Sequence, residues 1–373
     1  METIRHRVYR LSMNSASASS DILIVGGSLG GLMTGLALTR HGFSVTVLER
    51  STDTDRTGAA LQVGFGLLER LTGRPQAAEI METGVQAWQS VHRGLCAAAE
   101  GAGIAIIRNA RVTQTGQNAD TAWALTQDGL RFEAEVLIGA DGYQSVVRRQ
   151  ISPERPDAVF ANYLAWVGFA EESELTARFP PHLEFLESGP YLLLGFPLTA
   201  ADGSAQRGRR RVGWGWYDAG HNEILRRTGA VEGSLVRHSL RPGDMPDALF
   251  DDLARLARRN WPSPWREAIL ECIDRRAVLG TPVVEYVPDR LVSGRMALVG
   301  DAAHVCTPMT GNGFATAASD ALALVQFLDS AALATDPVTA LQAYEASRLP
   351  EVRRLGQSGQ RISQDFVRNA RGR

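Results

Sequence analysis

DILIVGGSLGG, residues 21–31, is the stretch that decides the fold of this chain. Its first five residues form a short apolar run that ends at glycines, which is typical of a buried strand in a parallel sheet. Residues 31–41 place leucines among small residues and end before Gly42, as a helix with a glycine cap does. A second apolar run, residues 43–48, ends at Glu49. This strand, helix and strand have the length of one βαβ unit, which predicts a doubly wound α/β fold.

The glycines between the first strand and the first helix favour nucleotide binding. Gly26, Gly27 and Gly31 allow a tight turn, a close approach of backbone amides to a pyrophosphate, and close packing of helix on strand. The helix N-terminus then stabilises the phosphate charge. Glu49 follows at the end of the second strand, where a carboxylate can accept hydrogen bonds from an adenosine ribose. Ser28 replaces the middle glycine of the GxGxxG pattern, and this loop alone leaves both NAD and FAD open as ligands.

A second motif distinguishes between these ligands. GDAAH, residues 300–304, follows an apolar strand and precedes Pro308, Gly311 and Gly313. Asp301 at the end of a strand can hold a sugar-like polyol, and glycines at the start of the next helix let backbone amides approach a flat ring. That helix N-terminus favours the negative charge of a reduced flavin. Because an NAD enzyme has no need of this second site, the two motifs together predict FAD.

GADG, residues 139–142, is a third motif, a turn that ends a strand and begins a helix. The segments GGSLGGL (26–32), GADGYQSVVR (139–148) and ALVGDAAHVCTPMTGNGF (297–314) together resemble the fingerprints of flavoprotein monooxygenases of the p-hydroxybenzoate hydroxylase type. The resemblance covers nearly all of the chain after residue 20.

Two strand segments, 163–168 and 211–217, are similar to those of the hydroxypyridine and hydroxynicotinate hydroxylase branch. Val167 stands where relatives commonly carry arginine, and Ala315 where many carry asparagine.

The resemblance implies a tightly but non-covalently bound FAD. Arg93 matches the arginine that reaches the phosphate and ribityl region of the flavin. The residues expected to bind the cofactor are Gly26, Gly27, Ser28, Leu29, Gly31, Glu49, Arg50, Arg93, Asp141, Gly300, Asp301, Pro308, Gly311, Asn312 and Gly313.

The resemblance also implies a reaction. NAD(P)H binds transiently and reduces FAD, O2 adds to form a flavin C4a-hydroperoxide, and a phenol-like or hydroxypyridine-like aromatic substrate is hydroxylated. No covalent protein nucleophile is expected, and His304 is the candidate catalytic residue. The candidates for contact with the substrate are the large apolar residues Trp166, Tyr191, Phe196, Trp214, Trp216 and Met309. Strand alternation puts Trp214 and Trp216 on one face of a sheet and Gly213, Gly215 and Tyr217 on the other, without indicating which face lines the pocket.

The expected architecture is a Rossmann-like FAD-binding domain with an inserted, mainly antiparallel β substrate domain and C-terminal helices. We expect a disordered tail over residues 1–20, a discontinuous FAD-binding domain over 21–155 and 277–373, and a substrate-binding domain over 156–276.

Composition excludes several classes of protein. The chain has 373 residues, a formal net charge of −2, three cysteines without paired spacing, and arginine as its only strongly basic residue. It therefore offers no basic field for nucleic acid, no metal site and no long apolar run to span a membrane, and a cytoplasmic monomer or homodimer acting on a small aromatic substrate is expected. A flavin-dependent halogenase would need a catalytic lysine, which this chain lacks. An FAD-dependent reductase or dehydrogenase and a non-catalytic FAD-binding protein remain open.

Overall fold

The computed structural model describes residues 20–52, 60–64, 66–73, 84–200 and 202–371. The predicted tail lies outside these ranges apart from Ser20, which begins the first strand. The strands are β1 (Ser20–Val25), β2 (Val45–Glu49), β3 (Ala60–Gln62), β4 (Val85–Ala87), β5 (Ala105–Arg108), β6 (Val112–Gln117), β7 (Ala122–Thr126), β8 (Arg131–Gly139), β9 (Val159–Glu171), β10 (Glu184–Ser188), β11 (Tyr191–Leu198), β12 (Arg211–Asp218), β13 (Val231–Glu232), β14 (Leu235–Val236), β15 (Leu279–Glu285), β16 (Val292–Ser293) and β17 (Met296–Leu298).

Helices follow or connect these strands. They are α1 (Leu29–Arg40), α2 (Leu67–Thr72), α3 (Trp88–Gly101), α4 (Val146–Ile151), α5 (Asn222–Arg227), α6 (Asp247–Asn260), α7 (Trp265–Asp274), α8 (Gly313–Phe327), α9 (Ser330–Thr335) and α10 (Pro337–Arg371). Short 3₁₀ turns cover Glu172–Glu174, Pro242–Asp244, Gly300–Ala302 and Pro308–Thr310. In the described ranges, no helix combines the length and the apolar character needed to cross a membrane.

The first sheet has a parallel centre in the order β17, β8, β1, β2, β5. Because parallel strands share one direction, the carboxyl ends of β1, β2, β8 and β17 meet at one edge. The chain leaves β1 toward β2 on one side, while β8 lies on the other side of β1. A crevice at such a switch point is where ligands bind in doubly wound folds, and the sheet confirms the predicted Rossmann-like class.

Two glycines close the β1–α1 turn. Gly26 has a φ of +107°, and a Cβ there would lie 2.3 Å from the Ala140 carbonyl oxygen. A Cβ on Gly31 would lie 1.9 Å from the Gly26 carbonyl oxygen. Neither site can hold a side chain without moving the backbone, so these glycines let α1 pack directly against the ends of β1 and β8.

The second sheet is antiparallel, in the order β10, β11, β12, β9, β15. Helices α6 and α7 cover one of its faces. β15 lies in the range predicted for the FAD-binding domain and pairs with β9 in this second sheet. The return to the parallel sheet therefore follows β15.

Three tryptophans determine which face of the second sheet carries the helices. Trp214 pairs across strands with Gly168, Trp166 pairs with Gly280, and a Cβ on Gly195 would lie 2.3 Å from the Trp265 ring. Each indole thus occupies space that a glycine leaves free. The large rings and the helices consequently share one face, with Trp166, Trp214 and Trp216 almost completely buried.

Candidate FAD-binding and substrate site

The turn after β1 is held by the predicted carboxylate. Glu49 is buried, and its Oε2 accepts a hydrogen bond of 2.8 Å from the Gly27 amide. Its Oε1 accepts another from the Ser51 amide at 2.8 Å. Ser28 precedes α1 without capping it, and Leu29 is buried while Arg50 is exposed. Glu49 therefore lies against the glycine loop, as the sequence predicts for a residue that reads a ribose.

His92 also contacts this loop and has no counterpart among the sequence predictions. Its Nε2 donates to the Gly27 carbonyl oxygen at 3.1 Å, and its ring stacks on Trp88 with centroids 4.5 Å apart. The i, i+4 spacing of Trp88, His92 and Cys96 along α3 is the signal that marks this inward face. Arg93, the predicted flavin arginine, is the next residue and is exposed.

Asp141 caps the helix that follows the third motif. Its Oδ1 accepts from the Ser145 hydroxyl at 2.5 Å, and its Oδ2 accepts from the Val146 amide at 2.6 Å. Burial nevertheless raises the pKa of Asp141. The carboxylate holds α4 in place at the edge of the crevice, which is the position predicted for cofactor contact.

A buried arginine joins the second and third motifs. Arg148 donates to the carbonyl oxygens of Asp301 and Ala302 at 3.3 and 3.0 Å, and also to that of Tyr143. Its guanidinium lies 4.4 Å above the Tyr286 ring, and burial lowers the pKa of Arg148. This side chain fixes the backbone on both sides of the crevice, which the motif pattern alone does not indicate.

Gly300 and Asp301 form the floor beside it. Gly300 has a φ of +58°. A Cβ on Gly30 would have the Gly300 Cα as its nearest atom, at 3.9 Å, so the first and second motifs face each other. The Asp301 side chain is accessible to solvent, yet protein surrounds it closely enough that burial raises the pKa of its carboxyl. This is the setting of a carboxylate at the bottom of a cleft.

His304, the candidate catalytic residue, is buried in a charged network beneath that floor. Its Nε2 donates to Asp320 Oδ2 at 2.6 Å, and Arg348 donates to Asp320 Oδ1 at 2.8 Å. The Gly300 amide donates to the same carboxylate at 2.9 Å. Burial opposes charge on His304, but Asp320 outweighs it and raises the pKa of His304 to about 10. The histidine thus carries a positive charge that supports the loop from below.

The loop from Thr307 to Gly313 is open on the side of the crevice. Pro308, Gly311, Asn312 and Gly313 are exposed, and a Cβ on Gly313 would meet no atom within 4 Å. The Asn312 side chain at the N-cap makes no hydrogen bond to the first turn of α8, which leaves backbone amides there available to a ligand. The space and the donors suit a flat, partly anionic ring such as the flavin.

The second sheet turns a face without tryptophans toward this loop. Half-buried Met309 packs against the apolar cluster that includes Tyr163, Ala165 and Tyr217 on that face. Its middle row is apolar and runs across four paired strands through Leu194, Gly215, Val167 and Leu279. Above Gly215 there is free space, since a Cβ would find only the Val167 Cγ1, at 3.9 Å.

The structure therefore separates the predicted substrate contacts. Met309 lies at the flavin loop, and Phe196 lies on the same face of the sheet, folded over Gly213. Trp166, Trp214 and Trp216 lie on the opposite face, packed under α6 and α7, because the glycines that accommodate them are there.

Tyr191 also belongs to the helix side. Its ring meets that of Trp216 edge to face at 5.3 Å. The structure does not bring these four aromatic residues to the loop.

Comparison with known proteins agrees with this geometry. Residues 19–88 and 272–358 match the family described as FAD binding domain. The aurachin C monooxygenase/isomerase of Stigmatella aurantiaca is 26% identical over 91% of this chain and 89% of its own length. The phenazine 1,6-dicarboxylic acid hydroxylase of Lysobacter antibioticus is 27% identical over 90% and 88%.

Solved structures share the fold. The 2,6-dihydroxypyridine-3-hydroxylase from Arthrobacter nicotinovorans superposes with a TM-score of 0.77 at 21% identity, over 94% of both chains. CtdE, in complex with FAD and a substrate, superposes with a TM-score of 0.75 at 18% identity, over 94% of this chain and 90% of its own.

Proposed function

We propose that this chain, which belongs to the FAD-dependent aromatic monooxygenases, hydroxylates a planar, largely apolar aromatic or heteroaromatic substrate held against the row Leu194, Gly215, Val167 and Leu279. The observation that carries this proposal is the position of Met309. It belongs to the open flavin loop and packs on the same face of the sheet as this row. A ring lying over Gly215 would thus lie beside the flavin.

The fit of the chain to FAD rests on its own backbone. Gly26 and Gly31 close the turn that presents amides to a pyrophosphate, Glu49 lies where a ribose would be, and the bare start of α8 suits the flavin. Bound FAD supplies hydride acceptance from NAD(P)H and activation of O2.

The protein's own contribution is to bind, orient and exclude water. Asp301 offers a carboxylate to the polyol chain of the cofactor, and the exposed Arg93 offers a cation to its phosphates. The apolar row beneath the ring limits the access of water to the reacting atoms. His304 lies under the loop with its Nε2 on Asp320, so we assign it to positioning Gly300 and Asp301 and not to proton transfer with the substrate.

The apolar row also favours one kind of substrate. None of its members has a charged or hydrogen-bonding side chain, and the free space above Gly215 is bordered by Val167. A flat neutral ring gains from burial on such a surface, whereas a charged group placed there would lose hydration without a partner.

The test begins with the purified chain and its flavin content. NADH and NADPH oxidation and oxygen uptake are then recorded with hydroxylated pyridines, hydroxybenzoates and polycyclic phenols, using isotopically labelled O2. We expect faster NAD(P)H oxidation and a product that carries one labelled oxygen atom. Bound FAD without oxygen incorporation for any compound would favour a reductase or a non-catalytic FAD-binding protein. A chain that binds no flavin would contradict the proposal at its base.

A further inference from the structure

Four buried side chains form a hydrogen-bonded line behind the flavin loop. Thr307 Oγ1 lies 2.6 Å from the Tyr163 hydroxyl, which lies 3.0 Å from Ser363 Oγ. Ser363 donates to Glu285 Oε1 at 2.5 Å. None of the four residues is more than 6% exposed. A carboxyl group buried on β15 is thereby connected, through α10 and β9, to a loop that faces the cofactor.

The Thr307 end of this line shapes the flavin loop directly. Thr307 immediately precedes Pro308, its Oγ1 accepts from the Met309 amide at 3.3 Å, and its carbonyl oxygen accepts from the Thr310 hydroxyl at 3.0 Å. Any change in the hydrogen bonding of the Thr307 hydroxyl therefore acts on the backbone at Pro308 and Met309.

The Glu285 end is a carboxyl group with few polar neighbours. Among the described residues, Ser363 on α10 is the only hydrogen-bond donor to Glu285, and no arginine or histidine forms an ion pair with it. Tyr163 on β9 is the titratable group that faces it beyond Ser363. Burial raises the pKa of Glu285 above its usual value and raises the pKa of Tyr163 to about 12, so of these two groups Glu285 is the one that loses its proton at the lower pH.

The protonation state of Glu285 sets the direction in which the hydrogen bonds of the line are donated. When Glu285 is ionised, Ser363 donates to Glu285, Tyr163 donates to Ser363 and Thr307 donates to Tyr163. When Glu285 is neutral, its own O–H can donate to Ser363, Ser363 to Tyr163 and Tyr163 to Thr307. The Thr307 hydroxyl hydrogen is then free to turn toward the loop. The two arrangements differ by one proton, which Glu285 exchanges with solvent, and by the direction of three hydrogen bonds, while no other covalent bond changes.

We propose that Glu285, Ser363 and Tyr163 are positioning residues whose hydrogen-bond direction transmits the protonation state of Glu285 to Thr307 and so to the flavin-binding loop. The inference rests on the proposed function, in which the flavin binds against that loop. It adds a pH-dependent control of the flavin environment by residues that do not touch the cofactor.

The experiment uses the FAD-loaded full-length chain without aromatic substrate. The visible absorption of the flavin and its rate of reduction by NADH are followed against pH. We expect one transition, above the ordinary pH range of glutamate, with a change in reduction rate of roughly fivefold, the equivalent of one net hydrogen bond. Glu285→Gln should abolish the transition and keep the low-pH behaviour, because its amide N–H donates to Ser363 as a neutral carboxyl does.

Tyr163→Phe should also abolish the transition, because it interrupts the line while leaving Glu285 in place. The matched control is Tyr217→Phe, which removes a neighbouring hydroxyl that belongs to no part of the line and should leave the transition intact. If Tyr163→Phe does not fold, Ser363→Ala replaces it, with Ser363→Thr as the variant expected to restore the transition.

A pH transition that survives in Glu285→Gln or in Tyr163→Phe would overturn the inference, as would a wild-type flavin that is insensitive to pH. These outcomes are separate from failure of the proposed function, since bound flavin and its reduction are measured without any hydroxylated product.

Discussion

At the carboxyl ends of β1, β8 and β17, the loops are held by backbone contacts and buried charges, whereas the open face of the second sheet is held by apolar side chains with free space between them. Gly26, Arg148 and Asp320 each contact another motif of the cofactor region. A Cβ on Gly215 would meet only the Val167 side chain, at 3.9 Å. The difference teaches that substitutions in the cofactor region should affect folding and FAD binding together, while substitutions on the open face should affect the choice of substrate alone.

The largest effect is expected for Gly31→Ala. A Cβ there would lie 1.9 Å from the Gly26 carbonyl oxygen, so α1 must move away from β1. We expect a loss of about 3 kcal/mol in the free energy of unfolding, measured by urea denaturation, together with loss of bound FAD. Gly30→Ala is the matched control, because the nearest atom to its Cβ is 3.9 Å away. Equal stability of the two variants would contradict the role assigned to the turn.

Asp320→Asn should come next. It leaves the His304 and Arg348 charges without their shared buried carboxylate, a change that costs about 3–5 kcal/mol of stability. Glu351→Gln removes the half-exposed partner of the same arginine and should cost less than about 1 kcal/mol. Thermal unfolding of both variants tests the difference, and a stable Asp320→Asn chain would show that the network does not support the loop.

A histidine in the second region provides a smaller, pH-dependent effect. Burial acts to lower the pKa of His221, but hydrogen bonds and charges from Asp218 and Asp252 outweigh it and raise the pKa to about 9. Since the pKa of His221 in the folded chain exceeds the ordinary histidine value of 6.5, the stabilisation is complete below about pH 6.5 and is lost as pH rises toward 9. Its upper limit is on the order of 3 kcal/mol.

Urea unfolding of the wild type and of His221→Gln at pH 6 and above pH 9 measures the contribution of the His221 charge to stability. We expect a stability difference between the two chains at the lower pH that shrinks at the higher one. A difference that stays constant across this range would mean that the charge of His221 does not stabilise the region.

Gly215→Val should have the smallest effect on the fold and a selective effect on turnover. Valine is favoured in strands, and the free space accepts its side chain, so FAD binding and stability should be retained. Substrate-stimulated NAD(P)H oxidation should fall by about tenfold or more, the equivalent of 1.4 kcal/mol, as kcat/KM. The control Trp214→Phe, on the face under the helices, should reduce stability and leave KM unchanged. The opposite pattern would mean that the substrate binds on the face of Trp214 and not on that of Gly215.

Local patterns predicted the elements of this fold well. The helix expected over residues 31–41 is observed as α1 (Leu29–Arg40), and the apolar run expected over residues 43–48 is observed as β2 (Val45–Glu49). Strand alternation correctly placed Trp214 and Trp216 together, opposite Tyr217. These features depend on periodicity and on turn residues, which act over a few positions of the chain.

The sequence did not predict the long-range contacts. His92, Arg148, Asp320 and Arg348 act on the cofactor loops through partners up to 154 positions away. β15 lies in the range predicted for the FAD-binding domain and within the matched residues 272–358, yet it pairs with β9 of the second sheet, because a buried strand has the same local pattern in either sheet. The face of β12 that meets the flavin loop could not be predicted, because it depends on which residues of the neighbouring strands pair with each tryptophan.

The sequence by itself indicated the doubly wound class, the FAD-binding loops and the resemblance to flavoprotein monooxygenases, because glycine conformations and strand ends are encoded residue by residue. Only the tertiary structure decided which side chains surround the substrate and which hold the loops. Those roles arise when distant strands pair and buried charges find partners, and neither process leaves a local mark on the chain.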